Sequence, residues 1–266
     1  IYTYSIPAGG YAGNGNILSY SDFVMGDWVY TYDTLNRLST GSATTGPHSG
    51  KHGCWGYDSF GNRQLESMQS TPCSTSWTPN VLYNASNQVG QAPTAASGYY
   101  YDGSGNVLAD GLNQYSYDGE GRLCAVKNSN SSYMQYIYDA EGRRVAKGSQ
   151  RTLSCPQPTA ANGFHLANQY LLNASGAAVT ELDGSGNWLH SNAPAGATMA
   201  TYASTITGVY FHLTDPLGSR RILADAIGRV QKTCLSLPFG DSETCPTTPT
   251  EQLFTGKERD FESGND

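Results

Sequence analysis

The stretch Tyr117-Asp118-Gly119-Glu120-Gly121-Arg122-Leu123 returns a little further on as Tyr138-Asp139-Ala140-Glu141-Gly142-Arg143-Arg144. Upstream the same phrase reads Tyr57-Asp58-Ser59-Phe60-Gly61-Asn62 and Tyr101-Asp102-Gly103-Ser104-Gly105-Asn106-Val107. Looser copies are Tyr32-Asp33-Thr34-Leu35-Asn36-Arg37, Leu182-Asp183-Gly184-Ser185-Gly186-Asn187 and Ala224-Asp225-Ala226-Ile227-Gly228-Arg229. Tyr83-Asn84 and Leu172-Asn173 carry Asn in place of the Asp. The constant part is Tyr-Asp, two variable residues, Gly, then Asn or Arg. From Tyr32 through Tyr57, Tyr83, Tyr101 and Tyr117 to Tyr138 the spacing runs from 16 to 26 residues, so loops vary while the unit persists.

The unit has a mechanical reading. Asp at the head of a type I turn accepts a backbone hydrogen bond from two residues on. Gly three residues after it supplies the left-handed conformation that closes a short hairpin loop with a bulge. Asn36, which stands at the Gly position of its copy, adopts that conformation at modest cost. Before each turn the tyrosines alternate, as Tyr30/Tyr32, Tyr99/Tyr101, Tyr115/Tyr117 and Tyr136/Tyr138, and residues two apart share a strand face. Each repeat is therefore expected to be a β-hairpin. The fold class is all-β: consecutive hairpins forming one continuous, curved, spiralling sheet.

Composition agrees. Only 14% of the 266 residues are charged, against roughly a quarter in ordinary soluble domains. Gly contributes 31 residues and Tyr 19, while the residues that build helical bundles are scarce. The formal net charge of -7, with no basic stripe, argues against a nucleic-acid partner. No run of apolar residues is long enough for a membrane-spanning helix. The sequence opens Ile1-Tyr2-Thr3-Tyr4-Ser5, without an initiator Met or signal peptide, and is expected to be a mature or trimmed product.

Six cysteines, Cys54, Cys73, Cys124, Cys155, Cys234 and Cys245, contain no Cys-x-x-Cys pair. That spacing disfavours zinc ribbons and thioredoxin-type sites and points to disulfides in an exported protein. Many connectivities are open. Neighbour pairing, Cys54 with Cys73, Cys124 with Cys155 and Cys234 with Cys245, is the local expectation, because each pair brackets a Pro- or Ser-rich insertion. His48, His52 and Cys54 could bind a metal, but a Gly-rich loop before a disulfide accounts for them equally. Asp102, Asp118 and Asp183 lack the alternating ligands of a calcium loop and read as turn caps.

Nucleophile elbows, His-Glu-x-x-His helices and phosphate loops do not occur, so no catalytic residue and no cofactor is assigned and no enzyme is expected. The tyrosine rows could stack on sugars, giving a glycan-contacting adhesin, but cross-strand pairing is the simpler reading. Asn84, Asn130 and Asn173 fit the N-glycosylation pattern and receive no role.

The Tyr-Asp units resemble the YD repeats of the RHS family, which includes the teneurin shell and the toxin-enclosing subunits of Tc complexes. The C-terminal third adds ordered matches to the RHS repeat-associated core. These are Asp215-Pro216-Leu217-Gly218-Ser219-Arg220-Arg221 with Asp225-Ala226-Ile227-Gly228, then Leu237-Pro238-Phe239-Gly240, then Phe254-Thr255-Gly256-Lys257-Glu258-Arg259-Asp260. The resemblance runs from about Trp28 to Asp266. In the family that last motif continues into an aromatic-rich strand and an Asp-Pro region linked to self-cleavage. Here the sequence stops at Glu262-Ser263-Gly264-Asn265-Asp266, so those carboxylates are carried over to no residue. The expected organisation is an N-terminal segment at 1–27 able to act as an inter-chain strand, a repeat sheet at 28–209, and a truncated core-like segment at 210–266.

Area limits what the chain encloses alone. At about 16 Å² per sheet residue the wall totals ~4,200 Å², a closed sphere of roughly 18 Å radius and a cavity of about 13 Å. A 100-residue cargo already has a radius of gyration of ~13 Å. The expected function is therefore an exported, bacterial structural protein. It self-associates through strand edges, the segment from Ile1 to Ile6 supplying the added strand, into a fibre, tube or wall. The alternatives are a fragment of a cocoon that encapsulates and delivers a C-terminal toxin, its partners being further shell segments, and a glycan-binding surface module.

Overall fold

A computed structural model describes residues 2–90, 98–195, 198–204, 208–241, 244–245 and 252–264; Ile1 and Asp266 lie outside them. The chain divides into two compact units, Ile1–Ser97 and Gly98–Asp266. The first holds β1 (Tyr4–Ser5), β2 (Ser19–Asp22), β3 (Gly26–Tyr32), β4 (Leu38–Ala43), β5 (His52–Tyr57) and β6 (Arg63–Gln69), paired in that order.

The second unit opens with β7 (Tyr99–Tyr101), β8 (Val107–Asp110), β9 (Gln114–Tyr117), β10 (Leu123–Lys127), β11 (Tyr133–Tyr138) and β12 (Arg144–Gln150). It continues through β13 (His165–Leu172), β14 (Ala178–Asp183), β15 (Trp188–Ala195), β16 (Thr198–Ala203), β17 (Gly208–Thr214), β18 (Arg220–Asp225) and β19 (Val230–Thr233). These pair sequentially in one 13-stranded antiparallel sheet. The all-β, hairpin-after-hairpin fold is as expected, with one difference. Strand pairing stops between β6 and β7, so the described residues form two sheets, not one. The segment between them carries Pro72 and Pro79, which cannot donate to a ladder. The boundaries drawn at 27/28 and 209/210 each fall inside a strand, β3 and β17.

Nor is the N-terminal segment free. Tyr4 and Ser5 pair with Asp22 and Ser21 of their own sheet, Tyr2 donates to Asp22 Oδ2 at 2.6 Å, and Tyr4 stacks on Tyr20 at 5.1 Å between ring centroids. The strand offered to a neighbouring chain is thus already used on one edge within this one.

The turns explain the pairing. In the Asp118 turn, Gly121 N–H donates to Asp118 O at 3.0 Å and Asp118 N–H to Arg122 O at 3.0 Å. The Asp102 and Asp139 turns share this pair of bonds, and Gly105, Gly121 and Gly142 have φ of 89°, 78° and 79°. Asn36, with φ 62°, takes the Gly role in its turn. Beyond the Tyr-Asp turns the hairpins bulge at one fixed place. Tyr138 faces Arg144 and Ile137 faces Ala146, which leaves Val145 as the extra residue; Leu108 and Cys124 are left out in the same way.

The core is thin because the sheets are broad. Trp28, Met25, Ala125, Val126, Ile222 and Leu223 are almost fully buried, while every residue of β6 is only half-buried. A cluster of Tyr115, Val126 and Tyr136, flanked by Val107, Leu123 and Met134, fills one face of β8–β11. Loops are tied down by disulfides Cys54–Cys73, Cys124–Cys155 and Cys234–Cys245, the nearest-neighbour arrangement. Closing loops of this size restricts the unfolded chain by roughly 3 kcal/mol each.

Gly121→Val should lower stability by more than about 1 kcal/mol, because a β-branched side chain clashes at positive φ. Urea unfolding midpoints of the variant and parent check this; equal midpoints would contradict the turn geometry.

Candidate functional site

The repeated turns are wired through their side chains. Asp118 Oδ1 accepts the N–H groups of Glu120 at 2.9 Å and Arg122 at 3.0 Å, while Oδ2 accepts Arg122 Nε at 2.7 Å. Asp139 is bonded the same way by Glu141 and Arg143. In the Asp58 and Asp102 turns the second oxygen takes Asn62 Nδ2 at 2.8 Å and Asn106 Nδ2 at 2.9 Å. The Asn-or-Arg preference after Gly is thus a requirement for a donor reaching Oδ2. Where that residue does not serve, the bulge residue takes over. Arg221 donates to Asp215 Oδ2 at 2.8 and 3.1 Å, and Gln231 to Asp225 Oδ2 at 2.9 Å.

The repeat tyrosines join one hairpin to the one before. Tyr57 OH donates to Leu38 O at 2.9 Å, Tyr117 OH to Val107 O at 3.0 Å, and Tyr138 OH to Leu123 O at 2.7 Å. Tyr32 and Tyr83 reach Ile17 O and Arg63 O in the same manner. Each acceptor follows the Asn or Arg of the preceding turn, or stands at the equivalent place. Arg37 and Arg122 also lie over the next repeat's tyrosine ring, at 4.6 Å for Tyr57 and 5.0 Å for Tyr138.

The C-terminal core-like residues repeat the same turn, the first copy keeping its carboxylate at Asp215 and the second carrying Leu237 in that place. Asp215-Pro216-Leu217-Gly218 closes with Gly218 N–H on Asp215 O at 2.9 Å, and Leu237-Pro238-Phe239-Gly240 with Gly240 N–H on Leu237 O at 2.9 Å. Gly218 and Gly240 have φ of 85° and 87°. A third copy, Leu253 to Lys257, sits on the first: Arg220 N–H donates to Leu253 O at 3.2 Å and Thr255 N–H to Ser219 Oγ at 3.1 Å. Sequence reading missed two further copies. Tyr11-Ala12-Gly13-Asn14-Gly15-Asn16 folds into the turn with Ala in the Asp position, and Asn128 to Ser132 does so with Ser131 at φ 61°. The Tyr-x-x-x-Gly-Asn spacing was the available signal at the first of these.

A buried cluster of charges lies where residues 258–262 pack on β11 and β12. Glu258, Asp260 and Glu262 alternate along the chain. Arg144 bonds Glu258 Oε1 at 2.7 Å and Asp260 Oδ2 at 2.6 Å. Lys147, its side chain only 4% exposed, lies 3.3 Å from Glu262 Oε2, and Tyr136 OH donates to Glu262 Oε1 at 3.0 Å. Burial opposes the Arg144 charge, but its hydrogen bond to Asp260 and the charge of Glu258 outweigh it and hold the guanidinium ionised. Asp260 is pushed upward by its own burial despite Arg144. Beside them Glu181 is likewise raised by burial, and His190 is lowered by burial. The cavity that Tyr170, Glu181, His190, Asn192, Gln252 and Glu258 surround measures about 20 Å³, room for one water molecule and no substrate.

The histidine loop does not converge. Cys54 is in a disulfide, His52 Nδ1 is 2.8 Å from Ser42 Oγ, and His48 packs edge-on to Trp28. Among the described residues no group of three or more His, Cys, Asp or Glu is placed to hold a metal.

Two measurements follow from these contacts. The carboxyls of Asp102 and Asp183 are held below their ordinary 3.8, first by the Asn106 and Asn187 amides and then by backbone N–H groups. At Asp118 and Asp139 desolvation works upward, but the backbone and Arg bonds together outweigh it and the net shift is down. A lowered carboxyl contributes stability that is present above the unfolded value and is lost as pH falls through the folded one. Urea midpoints should therefore drop below about pH 4; the burial penalty of Glu181 and Asp260, whose folded carboxyls are raised, is relieved at higher pH, before that loss sets in. Arg144→Met should cost about 3 kcal/mol, because it strands buried carboxylates. It should also expose residues 258–262 to limited proteolysis; an unchanged digestion pattern would show that Arg144 does not hold them.

Residues 11–157, more than half of the chain, match the model of the Teneurin YD-shell family. No curated protein sequence matches. Among solved structures the chain is similar to the Photorhabdus luminescens Tc holotoxin pore with a mutated TccC3, at 17% identity and a TM-score of 0.64, over 98% of this chain and 14% of that one. The TcdB2-TccC3-TEV structure gives 17% identity and 0.65 over 98% and 14%, and TcdB2-TccC3-Cdc42 gives 17% and 0.64 over 97% and 14%. The chain thus spans about one seventh of the length of these structures, and at such identity they report the fold alone. The family match, the Tyr-Asp turns and the hairpin-by-hairpin sheets agree: this chain belongs to the Teneurin YD-shell family.

Proposed function

We propose that the chain is a non-enzymatic wall segment of a larger, exported β-shell, whose neighbours along the wall are further shell segments and whose role is to shield a polypeptide held inside. The observation that carries this reading is that 98% of the chain superposes on 14% of a Tc-complex structure. A wall of this area encloses too little on its own. Antiparallel sheets extend by adding strands, and open edges are where they do so. The edge strand β19 is largely exposed, so it is available to a neighbour. Three disulfides suit an oxidising compartment.

A homopolymeric fibre is less well supported. The N-terminal strand is paired within its own sheet, and β6 is capped at one end by Asn80 and Val81, whose N–H groups both donate to Gln64 O. The experiment is electron microscopy of native material with the mass of the particles. Hollow particles larger than one chain, with this chain in the wall, are expected. Isolated monomers, or filaments made of this chain alone, would overturn the proposal.

A further inference from the structure

In the first unit, β5 and β6 present one face on which Cys54 and Gly56 stand beside Ser67 and Leu65. The chain after Cys73 is drawn over this face by the Cys54–Cys73 disulfide. Between loop and sheet lies an open cleft of about 450 Å³, lined by Ser67, Gln69, Ser74, Ser76, Trp77 and Thr78 above a floor of Cys54 and Leu65. No lining side chain is charged.

Trp77 is fixed in place and yet 39% exposed. Its indole lies on the backbone of Gly56, where a Cβ would fall 2.5 Å from Cε2 and Cζ2. Only glycine leaves room for that contact, so one ring face is seated and the ring is held without needing a ligand. Among the described residues no hydrogen bond engages the hydroxyls of Ser67, Ser76 and Thr78. Gln69 Nε2 is spent on Thr71 O at 3.0 Å and Pro72 O at 3.1 Å, which fixes the amide at the cleft wall.

We propose that this cleft binds a neutral saccharide, with Trp77 as the stacking platform. A pyranose ring offers an apolar C–H face to an indole and a rim of hydroxyls that both donate and accept, and serine and threonine hydroxyls do the same. An uncharged lining gives acidic sugars and phosphates no counter-charge. The volume falls in the range of small-molecule sites, roughly 300–1,000 Å³. A seated ring and a disulfide-held loop lower the ordering cost of binding. An extended peptide is disfavoured because the adjacent β6 backbone is engaged: Asn80 Nδ2 donates to Glu66 O at 2.8 Å, besides the bonds to Gln64 O. The site is separate from the tyrosine rows, whose hydroxyls are committed to neighbouring hairpins. It stands whether or not the chain is part of a shell.

The test is an array of neutral and acidic glycans probed with the full chain, followed by titration of tryptophan fluorescence with the best neutral oligosaccharide. Trp77→Ala and Ser67→Val should each weaken binding, the first by about tenfold or more, and Trp77→Phe should retain most of it. Thermal unfolding confirms that each variant is folded, and the Ser67 variant keeps the test valid if Trp77→Ala is not. No neutral glycan bound, a preference for acidic glycans, displacement by unrelated peptides, or folded variants that bind like the parent would overturn the proposal.

Discussion

The aspartate carboxylate at the head of the Tyr-Asp turns holds the geometry on which the rest of the structure depends. One of its oxygens takes two backbone N–H groups that the turn would otherwise leave unpaired, and the other takes a side chain across the loop. With the turn fixed, the bulge falls at one place and the register follows. With the register fixed, the tyrosine before the turn meets a carbonyl of the preceding hairpin. A contact within five residues thereby governs how repeats pack on one another.

The chain's low charge is part of the same economy. A broad sheet with half-buried strands has little room for solvated lysines, and most of its arginines have structural partners. Arg37 and Arg122 each donate to a turn carboxylate and lie on the next tyrosine ring. A planar guanidinium can do both at once, which an ammonium cannot. Arg144 extends this habit across the sheet, with tyrosine rings at 5.2 and 5.4 Å and carboxylates at its two ends.

What the sequence discloses follows the range of each interaction. Asp118, Gly121 and Tyr117 lie within one turn, so their roles could be reasoned from spacing. The Asn or Arg after Gly is visible as a pattern, but its reason, a bond to Oδ2, lies in the folded turn. Ala12 hid a turn because the backbone pair survives without the carboxylate. Contacts from Arg144 to Glu258 and Asp260 span more than 110 residues and leave no periodic trace. The cleft under Trp77 was invisible for the same reason: Gly56 reads as a strand glycine until the indole is seen lying on it.

The hydroxyls of these five repeat tyrosines reach in one direction, toward the hairpin already made: Tyr32 to Ile17, Tyr57 to Leu38, Tyr83 to Arg63, Tyr117 to Val107 and Tyr138 to Leu123. A chain that emerges N-terminus first can therefore lay down each sheet like successive courses of brick, each new hairpin gripping the last without waiting for sequence still to come. Sequential contacts of this kind keep contact order low and limit the time an unpaired edge stands open. The acidic residues near the C-terminus break the order. They turn back to Arg144, so that corner of the second sheet is completed after its strands have paired.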